Sequence, residues 1–229
     1  MKVALLLSGL PRKVKEGYEQ TWKNIIETYD TDIYLHGWRD EEWELVSEVY
    51  PTAKSIQIQE PFKFTKYKKG IKLPHSDTSR PLPQYDVMSC FRQLPMFYSW
   101  QMGYKPIYDS MIDYDVVIRS RYDLGIKQPI NLNDFDMQLI NHSYVHSSFF
   151  DDNLCITNKE NSDKIFKTIF DDVIKYGRET GFLNSAESSW TAMINKYGLQ
   201  DIALKHHVLN FELLRDNKVW WGDENGNIL

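Results

Sequence analysis

Two kinds of apolar run alternate along this chain. Short continuous blocks, mostly β-branched or leucine-rich, are separated by longer stretches in which apolar residues recur at helical spacing. Residues 2–7 form the first block, and an unbroken apolar run of that length predicts a strand buried on both faces. A turn follows at residues 8–12, with Gly9 for tight geometry and Pro11 to stop the strand. Residues 14–29 then place Tyr18, Trp22, Ile25 and Ile26 on one helical stripe. The alternation continues with a strand over 31–35, an acidic helix over 41–50 and a short strand over 55–59 that suits a sheet edge. Residues 86–112 predict the longest helix, with Met96, Phe97, Trp100, Tyr104 and Ile107 as core, interrupted near Pro95 and Pro106. The second half predicts strands over 137–141, 154–157 and 208–213, and helices over 162–176 and from Ser185 to Tyr197, stopped by Gly198. Strand and helix in alternation predict an α/β fold.

The block Val116, Val117, Ile118 is again buried on both faces by its composition, and it turns polar at its carboxyl end. Arg119, Arg121 and Asp123 are spaced two apart, which puts them on one face of an extended chain. Charges at the end of a buried strand are costly unless they pair with each other or with a ligand. In open α/β sheets the ligand crevice lies outside the carboxyl ends of the strands. Two readings follow: an internal ion pair that fixes the strand end, or a diphosphate site in which Asp123 holds a divalent cation.

Composition narrows the class. The chain has 229 residues, 42% hydrophobic and 26% charged, enough for one full core. A net charge of -5 argues against general nucleic-acid binding. Two cysteines, Cys90 and Cys155, are too few for a disulfide framework or a thiolate metal site. The apolar run at residues 3–7 is too short for a signal peptide or a membrane span, so a cytoplasmic protein is expected.

Other candidate residues sit at turns. Strand, glycine turn and helix form the first half of a nucleotide-binding unit, where helix N-terminal N–H groups favour anions and Arg12 adds a fixed charge. Ser8, Gly9 and Arg12 are therefore candidates, although no G-x-G-x-x-G or Walker pattern is present. His36 and Trp38 end the second strand beside the first, where they either face a base or ribose or pack the loop. Residues 61–84 carry Lys63, Lys66, Lys68, Lys69, Lys72 and Arg80 in a long aperiodic loop, either a basic lid or a solvated charge run. Glu187 falls in a first helical turn, where the dipole favours a carboxylate without any catalytic role. His206 and His207 are adjacent near the last strand, so they point to opposite faces and do not share a metal.

Taken in order, residues 8–12, 32–38, 96–100 and 114–124 resemble small nucleotide-sugar glycosyltransferases of the GT-A type, nearest to those of large algal viruses and bacterial polysaccharide clusters. Residues 151–156 and 185–187 look like two further landmarks of that group. The resemblance implies a GT-A-like (Rossmann-like) fold, a mixed, mostly parallel sheet flanked by helices, in one domain over 1–229. Residues 1–125 would be the nucleotide-sugar-binding half and 126–229 the acceptor half. It further implies a nucleoside-diphosphate-sugar donor (UDP- or GDP-sugar), a glycan or other hydroxyl acceptor, and Mn²⁺ or Mg²⁺ bound by an Asp-x-Asp motif. Arg121-Tyr122-Asp123 occupies the place of that motif with arginine for the first carboxylate. Asp123 is then the expected metal ligand, while Arg119 and Arg121 could instead neutralise the diphosphate directly. For a catalytic base the resemblance offers Asp152 and Glu187, whose loops it places around the cleft.

Two other functions compete. A sugar-phosphate nucleotidyltransferase generally carries a glycine-rich basic loop after its first strand, of which only Gly9 and Arg12 are present. A non-catalytic carbohydrate- or nucleotide-binding protein is the other, kept open by the missing first aspartate. The base, the sugar, the acceptor and the stereochemistry of transfer are not written in the sequence.

Overall fold

A seven-stranded sheet carries the molecule, and along it the strands run 55–59, 30–38, 2–9, 116–120, 155–157, 140–143 and 203–206. The structure is a computed structural model. It describes residues 1–39, 42–62, 64–67, 69–71, 84–143, 150, 152–181, 183, 186–206 and 211–214, with backbone alone at 65, 84–92, 143, 204–206 and 211–213. The strands are β1 (Lys2–Gly9), β2 (Asp30–Trp38), β3 (Ser55–Gln59), β4 (Val116–Ser120), β6 (Ile140–Ser143), β7 (Cys155–Thr157) and β8 (Ala203–His206). Pairing is parallel from β3 through β4, antiparallel on both sides of β7, and parallel again between β6 and β8. A separate antiparallel pair joins β5 (Leu124–Ile126) to β9 (Phe211–Leu213). The fold is thus α/β with a mixed, mostly parallel sheet flanked by helices.

Alternation along the central strands sorts their side chains between two cores. Ala4, Leu6, Tyr34 and Val117 pack with α3 (Gln84–Asp109), α4 (Lys159–Phe166), α5 (Ile169–Thr180) and α6 (Ala186–Lys196). Val3, Leu5, Leu7, Val116 and Ile118 face the other way, toward α1 (Val14–Thr21), the π-helical turn Trp22–Ile26 and α2 (Trp43–Val49). Every residue of β4 is buried, as its continuous apolar run requires. From β1 the chain runs outward to β2 and β3, then returns through α3 to β4 on the other side of β1. The carboxyl ends of β1 and β4 are therefore the switch point of the sheet, where a crevice opens.

Several boundaries differ from the sequence reading. The long helix runs through both Pro95 and Pro106 instead of dividing, its apolar stripe held against β1 and β2. Gly103 permits that approach, since a Cβ there would lie 2.6 Å from Leu6 Cδ1. The single helix expected over 162–176 is two, α4 and α5, broken at Lys167 and Thr168. The turn after α5 uses Gly181 at φ 83, a left-handed end that its apolar pattern did not announce. The short β5 and the strand β8 were missed, because three or four residues carry no readable period. Most of the basic loop, with Lys63, Lys68, Lys72 and Arg80, lies outside the described residues, as do Ser185, His207 and residues 208–210 of the last expected strand. Among the described residues no helix is long and apolar enough to cross a membrane.

Candidate functional site

A cleft of about 500 Å³ opens at the switch point between β1 and β4. One wall is the turn after β1, with Ser8, Gly9, Leu10 and Arg12. Gly9 sits at φ 118 and Lys13 at φ 52, so the chain reverses sharply before α1 begins. The Ser8 side chain is buried, and its hydroxyl has no hydrogen-bond partner among the described residues. Arg12 is half-buried in the wall and has no ion-pair partner among the described residues. A buried hydroxyl and an arginine that have no such partners among the described residues are groups that an anionic ligand satisfies.

The opposite wall comes from the end of β4. Arg119 is 2% exposed, with its guanidinium 3.8 Å over the Trp100 ring, and it donates to the carbonyl oxygen of Asp152. Arg121 donates from Nε to Asp123 Oδ1 at 2.7 Å and from its terminal nitrogen to Oδ2 at 2.8 Å, a bidentate pair. It also reaches Asn153 Oδ1 at 3.4 Å. Arg119, Arg121 and Asp123 all line the cleft, but not along one extended face as their spacing predicted. The strand ends at Ser120 and the chain turns at Tyr122 and Asp123, which folds the aspartate back onto Arg121. That turn is pinned from two sides. Leu214 N–H donates to the Asp123 carbonyl at 2.8 Å, and Gly17 of α1 lies directly against the Tyr122 carbonyl.

The third wall is aromatic, and of its residues the sequence pointed to Trp38 alone. Trp38 at the end of β2 stacks on Tyr98 at 5.6 Å, and Phe62 and Phe64 complete the cluster around it. Trp38, Phe62 and Phe64 line the cleft together with Pro61, Pro95 and Met96. The only signal for Phe62 and Phe64 was their closeness in a segment whose lysines dominated the reading. Met96 lies on the core stripe of α3, yet its end of the helix faces the cleft. His36 behaves differently from its neighbour Trp38. It is 1% exposed beneath the wall, 2.7 Å from Ser99 Oγ through Nδ1 and 3.3 Å from Gln59 Oε1 through Nε2. Burial lowers its pKa to about 4, so the ring is neutral at pH 7. The structure does not bring His36 to the cleft surface; it supports Trp38 from below, edge to face at 5.5 Å.

No family model matches the chain, and neither does any curated protein. Among solved structures the fold is similar to that of the glycosyltransferase GlyE of Streptococcus pneumoniae TIGR4, at a TM-score of 0.46 and 12% identity. The match covers 90% of this chain and 45% of that one, so this chain spans about half the length of the structure it matches. A likeness at that level transfers neither residues nor chemistry.

Asp152 and Glu187 do come together. Burial pushes the Asp152 carboxyl above its ordinary range, Arg121 and Arg119 pull it down, and Glu187 pushes it up again. The local frame explains why the two acids meet. Phe150 N–H donates to Thr191 Oγ1 at 3.0 Å, and that hydroxyl donates to the Glu187 carbonyl at 2.8 Å, so the first turns of α6 hold the segment before β7. Neither acid is among the residues that line the cleft, although Asp152 interacts electrostatically with its arginines Arg121 and Arg119.

This donor set does not suit the expected cation. Both oxygens of Asp123 already accept from Arg121, and Arg119 lines the same cleft. Among the described residues no group of three His, Cys, Asp or Glu side chains could hold a metal ion. A hard cation needs several oxygen donors and is repelled by guanidinium groups. The described residues do not fit a resident Mn²⁺ or Mg²⁺.

Proposed function

We propose that the chain is a glycosyltransferase that takes a sugar from a nucleoside-diphosphate-sugar donor and passes it to a hydroxyl acceptor, a glycan among them. The observation that carries this reading is the cleft at the switch point, which among the described residues is lined by Arg12, Arg119, Arg121 and Asp123 together with the aromatic Trp38, Phe62 and Phe64. That combination suits a ligand with one flat apolar end and one strongly anionic middle, which describes a nucleoside diphosphate. The resemblance in motif order supports the same reading.

The reaction makes a bond from the acceptor oxygen to the anomeric carbon and breaks the bond from that carbon to the β-phosphate oxygen. The electron pair of the broken bond leaves with the nucleoside diphosphate, and guanidinium groups aimed at its oxygens stabilise the developing charge. In an inverting transfer the acceptor proton passes to a carboxylate. Of the two acids Asp152 is the candidate tied to the arginines, since Arg119 donates to its backbone carbonyl, and burial, then Glu187, raises its proton affinity.

A thermal-shift screen against nucleoside diphosphates and their sugars tests the reading. One of UDP or GDP should raise the melting temperature by about 5–10 °C at a hundredfold excess over its Kd, given about 2.7 kcal/mol of linkage and 2–4 °C per kcal/mol at this size. No shift with any nucleoside diphosphate overturns the proposal.

A further inference from the structure

We infer that this cleft binds the diphosphate of its donor through arginine alone and needs no divalent cation, Asp123 serving as the internal counter-ion of Arg121. The inference rests on the nucleoside-diphosphate reading above and concerns how that ligand is held. Three observations carry it. Arg121 grips both oxygens of Asp123, at 2.7 and 2.8 Å, and the Asp123 side chain is 3% exposed. A cation there would have to displace a bidentate guanidinium and lose most of its water, with one carboxylate in return. Next, among the described residues that line the cleft three are arginines and one is an aspartate, so its surface offers guanidinium groups to an anion without any metal. Finally, Arg12 lines the same cleft from the β1 turn with no ion-pair partner among the described residues, and the Ser8 hydroxyl of that turn has no hydrogen-bond partner among them.

The division of labour follows from the geometry. Arg12 offers its whole fork to the ligand, in the bidentate manner that matches phosphate oxygens. Asp123 orients Arg121 by holding one edge of the guanidinium, Nε and one terminal nitrogen, which leaves the other edge toward Asn153. Arg119, seated on Trp100 and tied to the Asp152 carbonyl, fixes positive charge at the floor. In the Asp-x-Asp arrangement a carboxylate recruits a cation to meet the phosphates. Here an arginine stands at the first acidic position and meets them directly, and the second acidic residue keeps that arginine in place.

Calorimetric titration of UDP and of GDP into the full chain, in EDTA and then in Mn²⁺, gives the test. The nucleotide that binds should do so equally in both, within about threefold. Arg12→Gln should weaken binding in EDTA by about tenfold or more, the loss expected for one charge-assisted contact. Arg121→Gln alone would bury Asp123 unpaired, so the double variant Arg121→Gln/Asp123→Asn removes both charges and keeps the fold. It should also bind about tenfold more weakly or worse, with no response to Mn²⁺. Tightening of the wild-type chain by tenfold or more in Mn²⁺, lost in the double variant, would place a cation on Asp123 and overturn the inference while leaving the transferase reading intact. Binding of neither nucleotide in either buffer would sink both together.

Discussion

Gly17→Ala should destabilise this protein, although the usual helix rule has the opposite sign. Gly17 lies inside α1, where replacing glycine by alanine normally gains about 1 kcal/mol of helix propensity. A Cβ built at Gly17 would stand 3.1 Å from the Tyr122 carbonyl carbon and closer still to its oxygen. Carbon and carbonyl oxygen ordinarily meet at ~3.3–3.6 Å, so either α1 or the turn at Tyr122 must retreat. The obstacle is backbone and cannot swing aside like the end of a side chain, which puts the overpacking cost near the upper end of the usual range, about 3 kcal/mol. Set against the propensity gain, the net loss is about 2 kcal/mol, or about 4–8 °C in melting temperature for a chain of this size. Differential scanning calorimetry reads the first effect. Nucleoside diphosphate titration well below the transition reads a second, weaker binding, because the same turn presents Asp123 and, through it, Arg121. Gly177→Ala is the control: in α5 its new methyl meets only side-chain atoms of Leu183 and Ile71, which can give way, so its loss should be the smaller. A Gly17→Ala chain as stable as the wild type, or more so, would refute the close approach.

Stability should fall as pH drops from about 6.5 to about 4, because the unfolded chain protonates His36 across that window while the folded chain, with its pKa lowered to about 4, does not. The gap corresponds to about 3 kcal/mol, fully expressed below pH 4 and absent above 6.5; urea midpoints at pH 7 and pH 4.5 should diverge less in His36→Gln than in the wild type, and equal divergence would count against it. Asp152→Asn should lower kcat by about 10²-fold or more if its carboxylate takes the acceptor proton. Glu187→Gln should move the acid limb of the kcat/KM profile to lower pH, since Glu187 raises the Asp152 pKa and the base works deprotonated; an unmoved limb would separate the two acids.

The parts of this architecture that were legible from sequence are those set by continuous burial. Val116, Val117 and Ile118 have no polar face, so β4 had to be central, and its charged end had to meet the crevice of an α/β sheet. Arg12 was legible for the same reason, as a cation just beyond a strand, glycine turn and helix start. What escaped depended on where the chain turns back. Period two put Arg121 and Asp123 on one face, but the turn at Tyr122 made them partners, and no local pattern distinguishes those outcomes. His36 and Trp38 share a strand and a face by spacing, yet only Trp38 reaches the cleft; Ser99 and Gln59, distant in sequence, are what hold His36 below it. The aromatic wall was hidden because Phe62 and Phe64 have no period with Trp38 and Tyr98; only the folded sheet gathers them.

The two-core plan also explains why the charges are found where they are. Along β1 and β4 both faces are occupied by apolar side chains, so a guanidinium has no place before the strand runs out from between its covering helices. At that edge burial is still nearly complete, as the 2% exposure of Arg119 shows, and an isolated charge would be expensive. Each cleft arginine of β4 is therefore held by something that leaves part of it toward the cleft. Arg119 has an aromatic face and a backbone carbonyl to hold it. Arg121 has a carboxylate, which does cancel charge but engages one edge of the planar group. The desolvation of both is met during folding, before any ligand arrives. An anion entering the cleft then finds oriented donors in a site already shielded from water, the condition under which such donors act most strongly on developing charge.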